Sequence, residues 1–134
     1  MFFPWDGSHG MDECGARAVA IVDDDVSIRR SVANLLLSLG FQVESFASAE
    51  EFLRSPHWEN TGCLVLDLRM PAMGGLELLA HLASRGRRIP AVILTAHGDD
   101  DARDRAKRAG AIAFIDKPFR SGVLIEAVRS ALCA

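Results

Sequence analysis

Apolar and polar positions follow two alternating rhythms from residue 17 onward. "AVAIV" (18–22) is an apolar run of strand length. "VSIRRSVANLLLSLG" (26–40) then takes up a helical period, with Ile28, Val32, Leu35, Leu36 and Leu39 on one face and Gly40 as the stop. "FQVESF" (41–46) alternates like a strand with one less-buried face. "SAEEFL" (48–53) places Ser48 ahead of Glu51 at the spacing of a capping box, which opens a short helix. "GCLVLD" (62–67) is apolar until it stops at Asp67. A helical "GLELLAHLASRG" (75–86), an apolar "IPAVILT" (89–95) and a polar helix "DDDARDRAKRAG" (99–110) stopped by Gly110 come next. The strand "AIAFID" (111–116) and the helix "SGVLIEAVRSAL" (121–132) complete the pattern, with Val123, Leu124, Ala127, Val128 and Leu132 facing the sheet.

Five strands alternating with five helices predict an α/β domain with a parallel sheet covered on both faces. Parallel neighbours need crossover connections, and right-handed crossovers dominate. The 134 residues suffice for one domain with a real core, and no repeat or second domain is visible. The first sixteen residues, "MFFPWDGSHGMDECGA", lack the basic start and apolar stretch of a signal peptide and read as a flexible leader. An arm that packs Phe2, Phe3 and Trp5 on this or another subunit is the alternative. The domain proper is expected over 17–134.

Composition narrows the chemistry. A net charge of −3 offers no global basic field for nucleic acid. No apolar run is long enough to span a membrane. Cys14, Cys63 and Cys133 show no C-x-x-C spacing, so neither a zinc site nor a disulfide framework is expected, and reduced thiols in a cytoplasmic protein are.

In open α/β sheets, ligands bind beyond the carboxyl ends of the strands. The polar residues obey that rule: the first strand ends in Asp23-Asp24, the third in Asp67, the fourth in Thr95, and the fifth runs into Lys117. Adjacent carboxylates repel, and burial penalises their charge. Asp25 has an ordinary use as the cap of the following helix, where the macrodipole welcomes an acid. Three carboxylates, a hydroxyl and an ammonium converging on one sheet edge read as a reactive site.

The segments "IVDDD", "VLDLRMPAMGGLELL", "VILTAHG" and "AGAIAFIDKPF" occur in the order and spacing of the receiver domain of two-component response regulators. Over residues 17 to 132 the chain resembles that family, with wording nearest to its FixJ-like branch. The resemblance implies the flavodoxin-like, CheY-like strand order 2-1-3-4-5. It also implies that Asp67 is the phosphoacceptor for a phosphoryl group from a partner histidine kinase. Mg2+ would be held by Asp24 directly, by Asp23 through water, by Asp67 and by the backbone carbonyl of Arg69. Lys117 and the Thr95 hydroxyl would each meet a phosphoryl oxygen, and Thr95 and Phe114 would form the conformational switch. Pro118 would follow a cis bond. Arg69 and His97 stand where the family varies the access of water to the acyl phosphate. Asp116 is expected to be a solvated neighbour.

One feature departs from the family pattern. The helix at 99–110 carries Arg103, Arg105, Lys107 and Arg108 among four acids. It is either a solvated helix laced with Asp101–Arg105 and Asp104–Arg108 pairs, or a charged homodimer face formed on phosphorylation. Output is expected to be transcription regulation through a DNA-binding domain outside these residues, with no direct nucleic-acid contact. A single-domain regulator signalling by protein contact and a receiver-like module that is never phosphorylated are the alternatives. A phosphatase with an aspartate nucleophile would need a second acid at position 69, which is an arginine. The domain is therefore expected to be a phosphoacceptor and not an enzyme.

Overall fold

The structure, a computed structural model, describes residues 17–56, 58–96 and 99–133. Strands β1 (Ala18–Val22), β2 (Val43–Phe46), β3 (Thr61–Leu66), β4 (Ala91–Thr95) and β5 (Ala111–Asp116) form one parallel sheet in the order β2-β1-β3-β4-β5. Helices α1 (Val26–Ser38), α2 (Ala49–Arg54), α3 (Gly75–Ser84) and α4 (Asp100–Arg108) make the crossovers, and α5 (Ser121–Leu132) follows β5. The doubly wound order is the expected one. A short 3-10 helix at Trp58–Asn60 precedes β3 and has no counterpart in the periodicity.

Strand side chains alternate between two cores because successive residues point to opposite faces. On one face, Val32 and Leu36 of α1 and Leu124 and Val128 of α5 cover Val19, Ile21, Val65 and Leu94. On the other, Phe52 of α2, Leu78 and Leu82 of α3 and Ala106 of α4 cover Val22, Leu64, Leu66 and Ile93. β3 and β4, paired on both edges, are buried at every position, which is why they read as unbroken apolar runs. β2 and β5 are the sheet edges and are half-exposed.

Three expectations about the helices are corrected. Leu39 does not join the core and is 39% exposed. Helix α1 ends at Ser38, Gly40 turns the chain at φ 89°, and Phe41 fills the place instead at 4% exposure. Val123 lies in the first turn of α5, half-exposed, while Ala131 takes the buried position at the other end. Neither Asp101–Arg105 nor Asp104–Arg108 forms an ion pair among the described residues; Arg103 instead reaches Asp116 across to β5 at 3.8 Å.

The expectation of reduced thiols holds for Cys63, which is free and fully buried, and whose pKa burial pushes up to about 12. It fails at Cys133, which is disulfide-bonded. Cys133 caps α5 in an exposed position that another thiol can reach, unlike Cys63 inside the core. The leader, Cys14 and His97 lie outside the described residues.

Between β3 and α3 the loop turns through Ala72 at φ 64°, a left-handed conformation that penalises any Cβ. Glycine relieves that penalty, less its own backbone entropy cost. Ala72→Gly is therefore expected to stabilise the domain by about 0.5 kcal/mol, a rise of roughly 2 °C in Tm by calorimetry.

Candidate phosphoacceptor and metal site

Each candidate side chain stands where its strand ends. β1 runs out at Val22, and Asp23 follows with 2% exposure; its Oδ1 accepts the Asp25 N–H at 2.9 Å. Asp25 turns away to cap α1, its carboxylate accepting the Ser27 N–H at 2.8 Å, as its position before the helix predicts. Asp24 is exposed. Asp67 follows β3, held by its own N–H to the Val22 carbonyl at 3.1 Å, and its Oδ1 accepts the Arg69 N–H at 3.2 Å. Carboxylate oxygens of Asp23, Asp24 and Asp67 lie within 4.8 Å of one another.

The Lys117 ammonium reaches this cluster from the end of β5. Its Nζ is 2.9 Å from Asp23 Oδ2 and 3.4 Å from Asp67 Oδ2, with the lysine side chain 13% exposed. The Lys117 N–H donates to the Thr95 carbonyl at 2.9 Å, and the Lys117–Pro118 bond is cis, as the resemblance implies. Thr95 closes β4 and is buried. Asp116 points away from the cluster and is solvated, as expected. Phe114 is half-buried against the core under α4.

Packing leaves the Asp67 loop little freedom. A Cβ on Gly75 would stand 2.6 Å from the Asp67 carbonyl oxygen, and one on Gly74 2.6 Å from that of Leu68. The pair of glycines in "MPAMGG" lets the start of α3 press against the loop that carries Asp67. Two supporting contacts escape a reading of the sequence. Arg29, from the first turn of α1, donates through Nη1 to the Asp23 carbonyl at 2.6 Å. Glu50 of α2 accepts the Met73 N–H at 3.3 Å. Nothing in a linear pattern pairs Glu50 with Met73; the position of Arg29 beside the strand end is the one available hint.

Electrostatics follow from this crowding. Burial raises the Asp23 pKa above its usual 3.8, and the neighbouring Asp67 charge adds to the rise. The Asp25 N–H and Lys117 oppose it without cancelling it. Burial alone would lower the Lys117 pKa, but the hydrogen bonds and charges of Asp23 and Asp67 outweigh it and leave the ammonium above its usual 10.5. The donor set is three hard carboxylate oxygens, one of them exposed, which fits a hard divalent cation such as Mg2+.

Comparison with known proteins agrees with the geometry. The response regulator receiver domain family matches residues 19–129. The chain belongs to that family. It is 42% identical over 130 residues to Nodulation protein W of Bradyrhizobium diazoefficiens, covering 96% of this chain and 57% of that protein. It is 45% identical over 113 residues to Transcriptional regulatory protein FixJ of Rhizobium meliloti, covering 84% and 55%. The crystal structure of FixJ-N superposes with a TM-score of 0.78 at 43% identity, over 87% of this chain and 93% of that one. The receiver thus spans little more than half the length of these curated relatives.

The sign of the Asp23 shift gives a test. Because its folded pKa is raised, the folded state holds this proton to higher pH than the unfolded chain. The group's contribution to stability is then fully present below pH 3.8 and is lost as pH rises through the folded value. With divalent ions chelated, Asp23→Asn should match the wild-type Tm at low pH and exceed it increasingly above pH 3.8, as read by thermal melts across pH.

Proposed function

We propose that this receiver accepts a phosphoryl group on Asp67 from the phosphorylated histidine of a sensor kinase, and so switches conformation. The observation that carries the reading is the Lys117 ammonium bridging Asp23 and Asp67 at the edge where Thr95 also ends its strand. An oxygen of the Asp67 carboxylate attacks phosphorus, the P–O bond forms as the P–N bond to the kinase imidazole breaks, and the imidazole leaves with the electron pair. Lys117 faces the charge that gathers on the phosphoryl oxygens, and the Thr95 hydroxyl donates to another of them. Mg2+, held by Asp23, Asp24, Asp67 and the Arg69 carbonyl, would supply further neutralising charge. Asp67 needs no base, since its carboxylate is already the nucleophile. Arg69 and His97 tune the entry of water that later hydrolyses the acyl phosphate.

Acquired charge is then read through Thr95 and Phe114: the hydroxyl moves toward the phosphoryl group and the ring follows into the space it leaves. We infer output through transcription control, because the relatives named above include a transcriptional regulatory protein and extend beyond this domain. A homodimer on phosphorylation is supported by α4, whose Asp101, Asp104, Arg105 and Arg108 make no ion pair among the described residues and are exposed. The cytoplasm is the compartment a kinase partner implies, and no helix among the described residues is long and apolar enough to cross a membrane.

Incubation with acetyl phosphate and Mg2+ is expected to add one phosphate by intact mass, and Asp67→Asn to add none. Lys117→Gln should slow the gain on the order of a hundredfold. If the α4 charges meet across a two-fold axis, the phosphorylated form elutes as a dimer on a sizing column, and Arg105→Glu returns it to monomer. A mass gain that survives Asp67→Asn, or none at all with any metal, rejects the reading.

A further inference from the structure

Arg103 projects from α4 over the ring of Phe114, its guanidinium carbon 4.6 Å from the ring centroid. The same guanidinium reaches Asp116 Oδ2 at 3.8 Å. Phe114 and Asp116 are two residues apart on β5 and therefore share a face, the one that α4 covers. Across the sheet, Ile93 stands opposite Phe114 and Thr95 opposite Asp116. One side chain thus clasps both β5 residues that border the Thr95 position.

The ring is not wedged in place by apolar packing alone. Ala106 is the fully buried residue of α4, and a cavity of about 160 Å³ lined by Ala106, Lys107, Ala111 and Ile112 borders Phe114. What faces the exposed side of the ring is the guanidinium. An arginine over an aromatic face is attracted by the ring quadrupole, and a ring that moves toward Thr95 leaves that attraction behind. The Asp116 contact, half-exposed on both sides, adds little attraction of its own but limits where the guanidinium can go.

We propose that Arg103 is a positioning residue of the switch, holding Phe114 beneath α4 and so setting how readily the unphosphorylated domain takes up the phosphorylated arrangement. The inference rests on the reading of Asp67 as phosphoacceptor. A side chain that binds one of two conformations shifts the balance by its differential interaction, and linkage transmits the shift to the phosphoryl site. The strength of an exposed cation–π contact makes this a tuning effect of a few fold and not a lock.

Beryllofluoride with Mg2+, an acyl-phosphate mimic, is the probe, titrated while amide and Phe114 ring resonances are followed by NMR. Arg103→Ala, which favours the helix and should fold, is expected to lower the half-saturating concentration about threefold. It should also move the free-state Phe114 ring signal toward its bound position. Arg103→Lys should restore part of the wild-type value, and Asp116→Asn should shift it in the same direction as Arg103→Ala but less. In a Phe114→Leu background, Arg103→Ala should change nothing. An unchanged half-saturation in Arg103→Ala, or an equal change with Leu at 114, overturns the proposal while leaving Asp67 as the acceptor. Failure of the wild-type domain to take up beryllofluoride at all would overturn the acceptor reading, and this proposal with it.

Discussion

The Lys117 ammonium, placed against Asp23 and Asp67, is the contact on which the site depends. Carboxylates gathered within 4.8 Å would otherwise drive one another apart or take up protons. Lys117 offsets part of that cost from the far side of the sheet, tying the end of β5 to the ends of β1 and β3. Burial still wins at Asp23, whose pKa stays raised. The three carboxylate oxygens gathered there are a donor set that suits a hard cation. The parallel sheet makes this possible, because it delivers all its strand ends to one edge.

The rest of the molecule holds that edge still. β3 and β4 are buried along their whole length and fix Asp67 and Thr95 at their ends. Gly74 and Gly75 let α3 approach the Asp67 loop more closely than a Cβ would permit. Arg29 and Glu50 secure backbone groups on either side. By contrast α4 buries only Ala106 fully and carries charged side chains on most of its other positions.

Much of this was legible in the sequence. β1 and β5 occupy the residues whose apolar runs predict them, and the site residues sit where those runs end, because a buried parallel strand tolerates polar groups only beyond its pairing. The signal weakened where one residue decides a phase. Leu39 fits the α1 stripe, but the chain leaves the helix a residue earlier and Phe41 takes the place. Val123 fits the α5 stripe, yet it is half-exposed while its neighbour Leu124 is fully buried. The i,i+4 charges of α4 fit helical pairs, but Arg103 found a ring and a carboxylate on β5, a partner no local spacing reveals. Long-range polar contacts such as Glu50 with Met73 are invisible for the same reason. Cys133 carries no spacing signal for the disulfide it makes.

The claim that most needs a direct answer is which atom carries the phosphoryl group. Borohydride reduction of the acetyl-phosphate-treated protein, followed by trypsin and tandem mass spectrometry, converts an aspartyl phosphate to homoserine and marks its position. The account predicts homoserine at position 67, in the peptide that ends at Arg69, and only when Mg2+ is present. Homoserine at 23 or 24, or a phosphate that survives borohydride on another kind of residue, would contradict it.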